Sequence, residues 1–264
     1  MTYTVIIPAR FGSSRLPGKP LKDLAGKSMV QRVYESARSS GARRVIVATD
    51  DPRIADVVSA FGGEFCMTGN HHESGTDRLH EVVDLLDLSI DDIVVNVQGD
   101  EPLMPASVID QVANNLAQRP SVGAATLCEP ITSVEDCFNP NIVKVVRDQA
   151  GLALYFSRAP IPWHRDGFSA DNHVLPQAIQ PMRHIGIYAY RVSLLRKFVT
   201  WPMAALEACE KLEQLRILAN GQSIHVEEAC EQVPGGVDTE LDLKRVRQYL
   251  AQLEASQKRI SSAH

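Results

Sequence analysis

Three short runs, Tyr3–Pro8 (YTVIIP), Arg44–Thr49 (RVIVAT) and Ile93–Val97 (IVVNV), are apolar with almost no polar alternation. A strand with one wet face alternates in polarity, whereas one that reads apolar throughout is covered on both faces. A shorter strand signal lies at Glu64–Met67, and helix-like stretches follow at Ser28–Ser40, Pro52–Phe61, Gly75–Leu86 and Pro105–Gln118. Two of these helices carry explicit start signals. Asp51 precedes Pro52, an N-cap followed by proline at the first helical position, and Ser74 precedes Gly75-Thr76-Asp77. Strand–helix alternation of this kind predicts right-handed βαβ units in a doubly wound, mostly parallel sheet of the α/β class.

The second half reads differently. Val143–Arg147, Leu152–Ser157 and His184–Tyr190 are strand-like with short connections, which predicts mixed or antiparallel pairing. Residues 158–183 are rich in proline and polar side chains and read as a long excursion. Helical periodicity returns at Leu206–Asn220 and Thr239–Leu253. With no repeat and no clear linker, residues 1–253 read as a single domain carrying an inserted mixed α+β subregion. Its parts are about 1–130, about 131–235 and a closing segment 236–253, with residues 254–264 expected to form a flexible tail.

At 264 residues the chain can bury a substantial core, and 44% hydrophobic with 22% charged residues is ordinary for a globular protein. The net charge of −5 argues against a nucleic-acid partner. No apolar run approaches the roughly 18–20 residues that span a bilayer, so no membrane partner is expected. Cys66, Cys128, Cys137, Cys209 and Cys230 form no C-x-x-C pair. Their odd number predicts free thiols in a reducing, cytoplasmic compartment.

Charge is unevenly spread. Residues 1–53 carry ten Lys and Arg against four Asp and Glu, although the whole chain is acidic. The excess centres on PARFGSSRLPGKPL, residues 8–21, which directly follows the first strand. Ligands of open α/β sheets sit beyond the carboxyl ends of strands, where this loop lies. Gly12 and Gly18 permit close backbone approach, Pro17 and Pro20 stiffen the loop, and Arg10, Arg15 and Lys19 crowd like charge into a small volume. Such crowding is unfavourable without an anion, and a triphosphate is the natural one; a solvated basic loop is the plainer alternative. The phosphate motifs G-x-x-x-x-G-K-[ST] and G-x-G-x-x-G do not occur here, which argues against a dinucleotide-dependent oxidoreductase.

The pattern P-A-R-x-x-S-x-R-L-P-G-K-P-L resembles the signature of the sugar-acid cytidylyltransferases. Further stretches extend the resemblance from about residue 3 to 250: CMTGNHHESGTDRL, VNVQGDEP, FNPNIVKVV, ALYFSRAPIPW, RHIGIYAYR, LEQLR and GVDT. The resemblance implies a Rossmann-like nucleotidyltransferase fold with a dimerisation and sugar-binding subregion. It implies a bacterial homodimer that uses Mg²⁺ to couple CTP to the eight-carbon sugar acid KDO for lipopolysaccharide synthesis, with release of pyrophosphate.

Nucleotidyl transfer is catalysed by positioning and by stabilising charge on phosphoryl oxygens. Arg10, Arg15 and Lys19, with Ser13 as a hydroxyl donor, are the residues expected at the triphosphate. Asp100, at the polar end of VNVQGDEP, and Asp238, in GGVDTELDL, are implied as the Mg²⁺ carboxylates, a set that suffices for this ion. Each has a plainer reading, Asp100 as part of a strand–helix turn and Asp238 as a helix N-cap. Ser74, Gly75, Thr76, Arg78 and Gln98 are expected around the base and ribose. His71 and His72 read as an exposed loop pair and not as metal ligands. By resemblance Gln98, Arg158, His184, Tyr188, Glu213 and Gln214 contact KDO, with Arg158 on its carboxylate. His184 and Tyr188 fall on one strand face by two-residue periodicity, and Glu213 and Gln214 flank a Leu212–Leu215–Leu218 stripe. Competing readings are a CMP-sialic acid synthetase, an enzyme acting on a sugar 1-phosphate, or a non-catalytic nucleotide-binding regulator. The YFSRAPIPW and RHIGIY stretches favour KDO over the first two, and the presence of both aspartates weighs against the third.

Overall fold

The computed structural model describes residues 2–12, 16–72, 74–168, 174–176 and 178–261, with side chains up to 253. Ser13 and Arg15, expected at the triphosphate, lie outside the described residues. In chain order the first elements are β1 (Thr4–Pro8), α1 (Met29–Arg38), β2 (Arg44–Thr49), α2 (Pro52–Ala60), β3 (Glu64–Met67), α3 (Gly75–Leu85), β4 (Ile93–Asn96) and α4 (Ala106–Ala117). Then follow β5 (Ala124–Pro130), α5 (Val134–Phe138), β6 (Lys144–Arg147), β7 (Ala153–Ser157), β8 (Met182–Arg191) and α6 (Val192–Phe198). The last are α7 (Ala205–Glu210), α8 (Gln214–Ala219), β9 (Ile224–Glu228) and α9 (Glu240–Ser261).

The chain divides into two compact units. One comprises Thr4–Leu86, Asn96–Ile109 and Val233–His264. Here β1 pairs with β2 and β2 with β3, all parallel, in the α/β arrangement that the apolar runs predict. Three side-chain caps start its helices: Ser28 Oγ accepts from Gln31 N at 3.3 Å, Asp51 Oδ1 from Arg53 N at 3.0 Å, and Ser74 Oγ from Asp77 N at 3.1 Å. Each satisfies a backbone donor that the first helical turn leaves unpaired. An apolar cluster joins Leu16, Leu24 and Met29 to Val237, Leu243, Val246 and Leu250. Leu16, within the cationic stretch, is thus buried against α9. That helix continues past Leu253, the expected end, to Ser261.

The other unit comprises Met1–Tyr3, Asp87–Val95 and Asp110–Gln232. Its strands run in the order β4-β8-β5-β9, with β5 antiparallel to β8 and parallel to β9. β6 pairs antiparallel with both β7 and β8, as the short connections predict. β5 (AATLCEP) and β9 (IHVEE) are strands the sequence reading misses. Alanine and glutamate are poor strand formers, and burial beside neighbours overrides that preference. The helix expected over Leu206–Asn220 is two short helices. Lys211, at φ +55°, breaks it between α7 and α8.

Candidate active site

In the first unit a cleft of about 470 Å³ opens beyond the end of β1 and beside Gln98–Asp100. Arg10, Lys19, Ser74, Gly75, Arg78, Gln98, Asp100 and Asp238 line it, as does His72. Thr76 is buried in α3 and does not line the cleft.

The loop reaches the cleft through a tight local fold. Gly18, at φ +66°, precedes a single 3₁₀ turn over Lys19–Leu21, a backbone conformation glycine adopts without steric cost. Lys19 thereby enters a pair of carboxylates. Its Nζ donates to Asp100 Oδ2 at 2.7 Å, to Asp238 Oδ1 at 3.0 Å and to the Val237 carbonyl at 3.0 Å. Burial by itself pulls the lysine pKa down, but Asp100 and Asp238 outweigh it and hold the ammonium above its ordinary value. The backbone fixes the same trio. Val237 N donates to the Asp100 carbonyl at 2.8 Å, and Val97 N to Ile6 O at 3.2 Å. At Gly99 a Cβ would stand 2.6 Å from the Pro8 carbonyl oxygen, so only glycine lets the two backbone segments approach.

Two aspartates that converge on one cation have the composition of a hard divalent-cation site, completed by water and phosphate oxygens. Among the described residues no group of three or more His, Cys, Asp or Glu forms an all-protein metal cage.

Other polar groups of the cleft are already committed. Arg78 donates to Asp50 Oδ2 at 3.1 Å and to Thr68 Oγ1 from a nearly dry position. Ser74 Oγ donates to Asp77 Oδ2 at 2.9 Å while capping α3. The expectation of an exposed histidine pair holds only for His71. The His72 ring is nearly buried in the cleft wall and hydrogen-bonds Glu81, whose Oε2 also accepts from Gly69 N at 2.9 Å. Burial would raise the Glu81 pKa, but His72 and the Gly69 N–H overcome it and lower the carboxyl. Nothing in the local pattern of HHESGTDR distinguishes the two histidines; the partner is one helical face away in α3.

The remaining expected residues lie in the other unit. His184 Nε2 is 3.1 Å from Thr126 Oγ1, and its ring lies edge-on to Phe156 at 5.0 Å and against Tyr188 at 5.3 Å. Burial lowers the His184 pKa to about 3, so the imidazole is neutral at neutral pH. Simple alternation would leave residues four apart along a strand roughly 13 Å from each other. The pairing of β5 with β8 shifts register between Thr126 and Leu127, and this irregularity brings the two rings together. Thr126 Oγ1 lies 2.7 Å from Ile187 O and 3.0 Å from Ile185 O, tying down the displaced backbone. Burial, with Tyr190 and Glu213 adding negative potential, raises the Tyr188 pKa well above its ordinary value.

Gln214 is buried, and among the described residues its Nε2 has no hydrogen-bond partner. Such groups are few in native proteins and call for a ligand or water. In α8 the buried positions are Gln214, Leu215, Arg216 and Ile217, and Leu218 is half-buried. Of the expected leucine stripe Leu212 and Leu215 are buried and Leu218 half-buried, and all three follow the break at Lys211. Arg158 donates through Nε to the Glu210 carbonyl at 2.7 Å and through Nη1 to the Pro140 carbonyl at 2.9 Å.

A family model for cytidylyltransferases matches residues 4–224. The chain is 63% identical to the 3-deoxy-manno-octulosonate cytidylyltransferase of Cellvibrio japonicus over 251 residues, 95% of this chain and 98% of that one. It is 60% identical to the enzyme of the same name from Hahella chejuensis over 249 residues, 94% of this chain and 98% of that one. Among solved structures it is similar to a CMP:2-keto-3-deoxy-manno-octonic acid synthetase complexed with CTP, at a TM-score of 0.86 and 43% identity, covering 96% and 99% of the two chains. A cytidylyltransferase from Leptospira borgpetersenii, 16% identical with a TM-score of 0.60, shares the fold.

Proposed function

Since the chain belongs to the cytidylyltransferase family, we propose that it activates KDO by CTP-dependent cytidylyl transfer, giving CMP-KDO and pyrophosphate for bacterial lipopolysaccharide biosynthesis. The observation that carries this reading is the convergence of Lys19, Asp100 and Asp238 in the cleft beyond β1.

The anomeric hydroxyl oxygen of KDO attacks the α-phosphorus of CTP. A phosphorus–oxygen bond forms, the bond to the β-phosphate bridging oxygen breaks in line, the hydroxyl proton passes to solvent, and pyrophosphate departs. Arg10, Arg15, Lys19 and Ser13 hold the triphosphate, Lys19 from its place beside the two aspartates. Fixed cationic donors of this kind stabilise charge where it develops. Asp100 and Asp238 are the residues that hold Mg²⁺, which when bound neutralises phosphate charge. Ser74, Gly75, Arg78 and Gln98 form the base and ribose side, while Thr76 stays buried in α3 outside the cleft lining.

Arg158, His184, Tyr188, Glu213 and Gln214, with Gln98, receive the sugar acid. Arg158 takes its carboxylate, and the Gln214 amide with the Tyr188 and Glu213 oxygens takes its hydroxyls, a reading supported by the buried Gln214 Nε2, which has no hydrogen-bond partner among the described residues. The active form is a homodimer in the cytoplasm. Free thiols at all five cysteines, the absence among the described residues of any helix able to cross a membrane, and exposed Leu154, Trp163 and Ile179 support that setting.

The test is pyrophosphate release on mixing the protein, CTP and Mg²⁺ with KDO, sialic acid or a sugar 1-phosphate in turn. Release with KDO and with neither alternative is expected. Equal or faster release with sialic acid or a sugar 1-phosphate overturns the assignment, and no release with any acceptor removes the enzymatic reading. Light scattering of the pure protein checks the dimer.

A further inference from the structure

Lys144 is fully buried in β6, although lysine is among the side chains that burial penalises most. Among the described residues its ammonium meets no carboxylate. It donates instead to three carbonyl oxygens, Asn139 at 3.0 Å, Ile142 at 2.7 Å and Arg158 at 2.6 Å. The three donors of the ammonium are thus all used. Burial, as the largest influence, draws its pKa below the ordinary value. The lysine stands directly across the β6–β7 ladder from Ser157, the residue before Arg158.

A second clamp comes from the last residue of α7. Glu210 Oε1 accepts from Ser157 Oγ at 2.6 Å, its Oε2 accepts from Arg158 N at 2.9 Å, and its carbonyl accepts from Arg158 Nε at 2.7 Å. The Pro140 carbonyl that receives Arg158 Nη1 belongs to the 139–142 segment held by Lys144. Arg158 is therefore fixed at its backbone N–H, its carbonyl, Nε and Nη1. Those two guanidinium bonds use two of five N–H donors, and among the described residues the Nη2 end keeps its pair for an anion.

We propose that Lys144 and Glu210 are positioning residues for sugar-acid recognition, holding the Arg158 guanidinium ready for the substrate carboxylate. The inference rests on the reading of Arg158 given under Proposed function. An arginine held in one rotamer before binding does not lose that freedom on binding, so preorganisation tightens the complex without adding a contact. A solvated lysine would not serve, because water would compete for the same three carbonyls.

Lys144→Met, Glu210→Gln and Arg158→Ala, each alone and the first two also combined with Arg158→Ala, test this by steady-state kinetics and thermal melts. Lys144→Met and Glu210→Gln are expected to raise the KM for KDO roughly tenfold while the KM for CTP stays within about twofold, as misplacement of a binding group requires. In the Arg158→Ala background neither should raise the KM for KDO further. If Arg158→Ala raises that KM but the two folded variants leave it unchanged, or act additively with Arg158→Ala, the positioning role is wrong and the Arg158 reading stands. If Arg158→Ala leaves it unchanged, the Arg158 reading itself fails. Should Lys144→Met not fold, Glu210→Gln decides the question, because the Glu210 carbonyl that accepts Nε is kept.

Discussion

The ammonium of Lys19 lies 2.7 Å from Asp100 and 3.0 Å from Asp238, joining residues 81 and 219 positions away in the chain. Two like charges are held together here by a side chain that also belongs to the cationic loop. The loop and the aspartates are thus one electrostatic unit, and changes at any member should be felt at the others.

Lys19→Ala is expected to lower turnover about 10²–10³-fold, the cost of losing one preorganised charge donor. Steady-state rates of pyrophosphate release from CTP and KDO check it. An unchanged rate would take Lys19 out of the chemistry and leave it as a tether for the aspartates.

Asp100→Asn and Asp238→Asn should each remove most activity without unfolding the protein. EDTA should do the same to the unaltered protein, with recovery on added Mg²⁺. Because both carboxylates act through one ion, the double variant should be scarcely worse than either single one. Full additivity, or undiminished activity in EDTA, contradicts a shared ion.

Gly99→Ala places a methyl group 2.6 Å from the Pro8 carbonyl oxygen, a backbone atom that cannot rotate away. The Pro8 and Gly99 backbones must then separate, at a cost of about 1–3 kcal/mol in stability. Urea denaturation should register that loss, and calorimetry should show weaker CTP binding because the cleft walls have moved.

Stability should fall as pH drops from 7 toward 5. Burial lowers His184 to about 3 and His225 to about 4 from an ordinary 6.5, with Arg119 and Arg147 also disfavouring charge on His225. The unfolded chain therefore binds protons below pH 6.5 that the folded chain refuses, so the stabilisation is complete above 6.5 and is lost on descent through that window. The lowered carboxyls of Glu35, Asp51, Glu81 and Asp242 start from 4.5 or 3.8, so they act at lower pH. A melting temperature several degrees lower at pH 5 than at pH 7 is expected, flattened in the His184→Gln, His225→Gln double variant. Parallel curves for the variant and the unaltered protein would show that neither histidine carries the effect.

By itself the sequence determined the elements whose signals are local. β2 and β3 begin and end at the expected residues, and Asp51 and Ser74 cap α2 and α3 as their neighbours predict. Burial on both faces and the pairing of first-turn N–H groups are written into a few adjacent residues. The basic loop was legible for a related reason: charge crowded between prolines and glycines asks for an anion whatever the fold. Tertiary structure alone decided what lies between distant positions. Lys19 meets Asp238, Glu81 tells His72 from His71, the β8 irregularity joins His184 to Tyr188, and Lys144 at the start of β6 finds three carbonyls. These depend on which backbone atoms the packed chain brings to within about 3 Å, a hydrogen-bond distance that no pattern of neighbouring residues encodes.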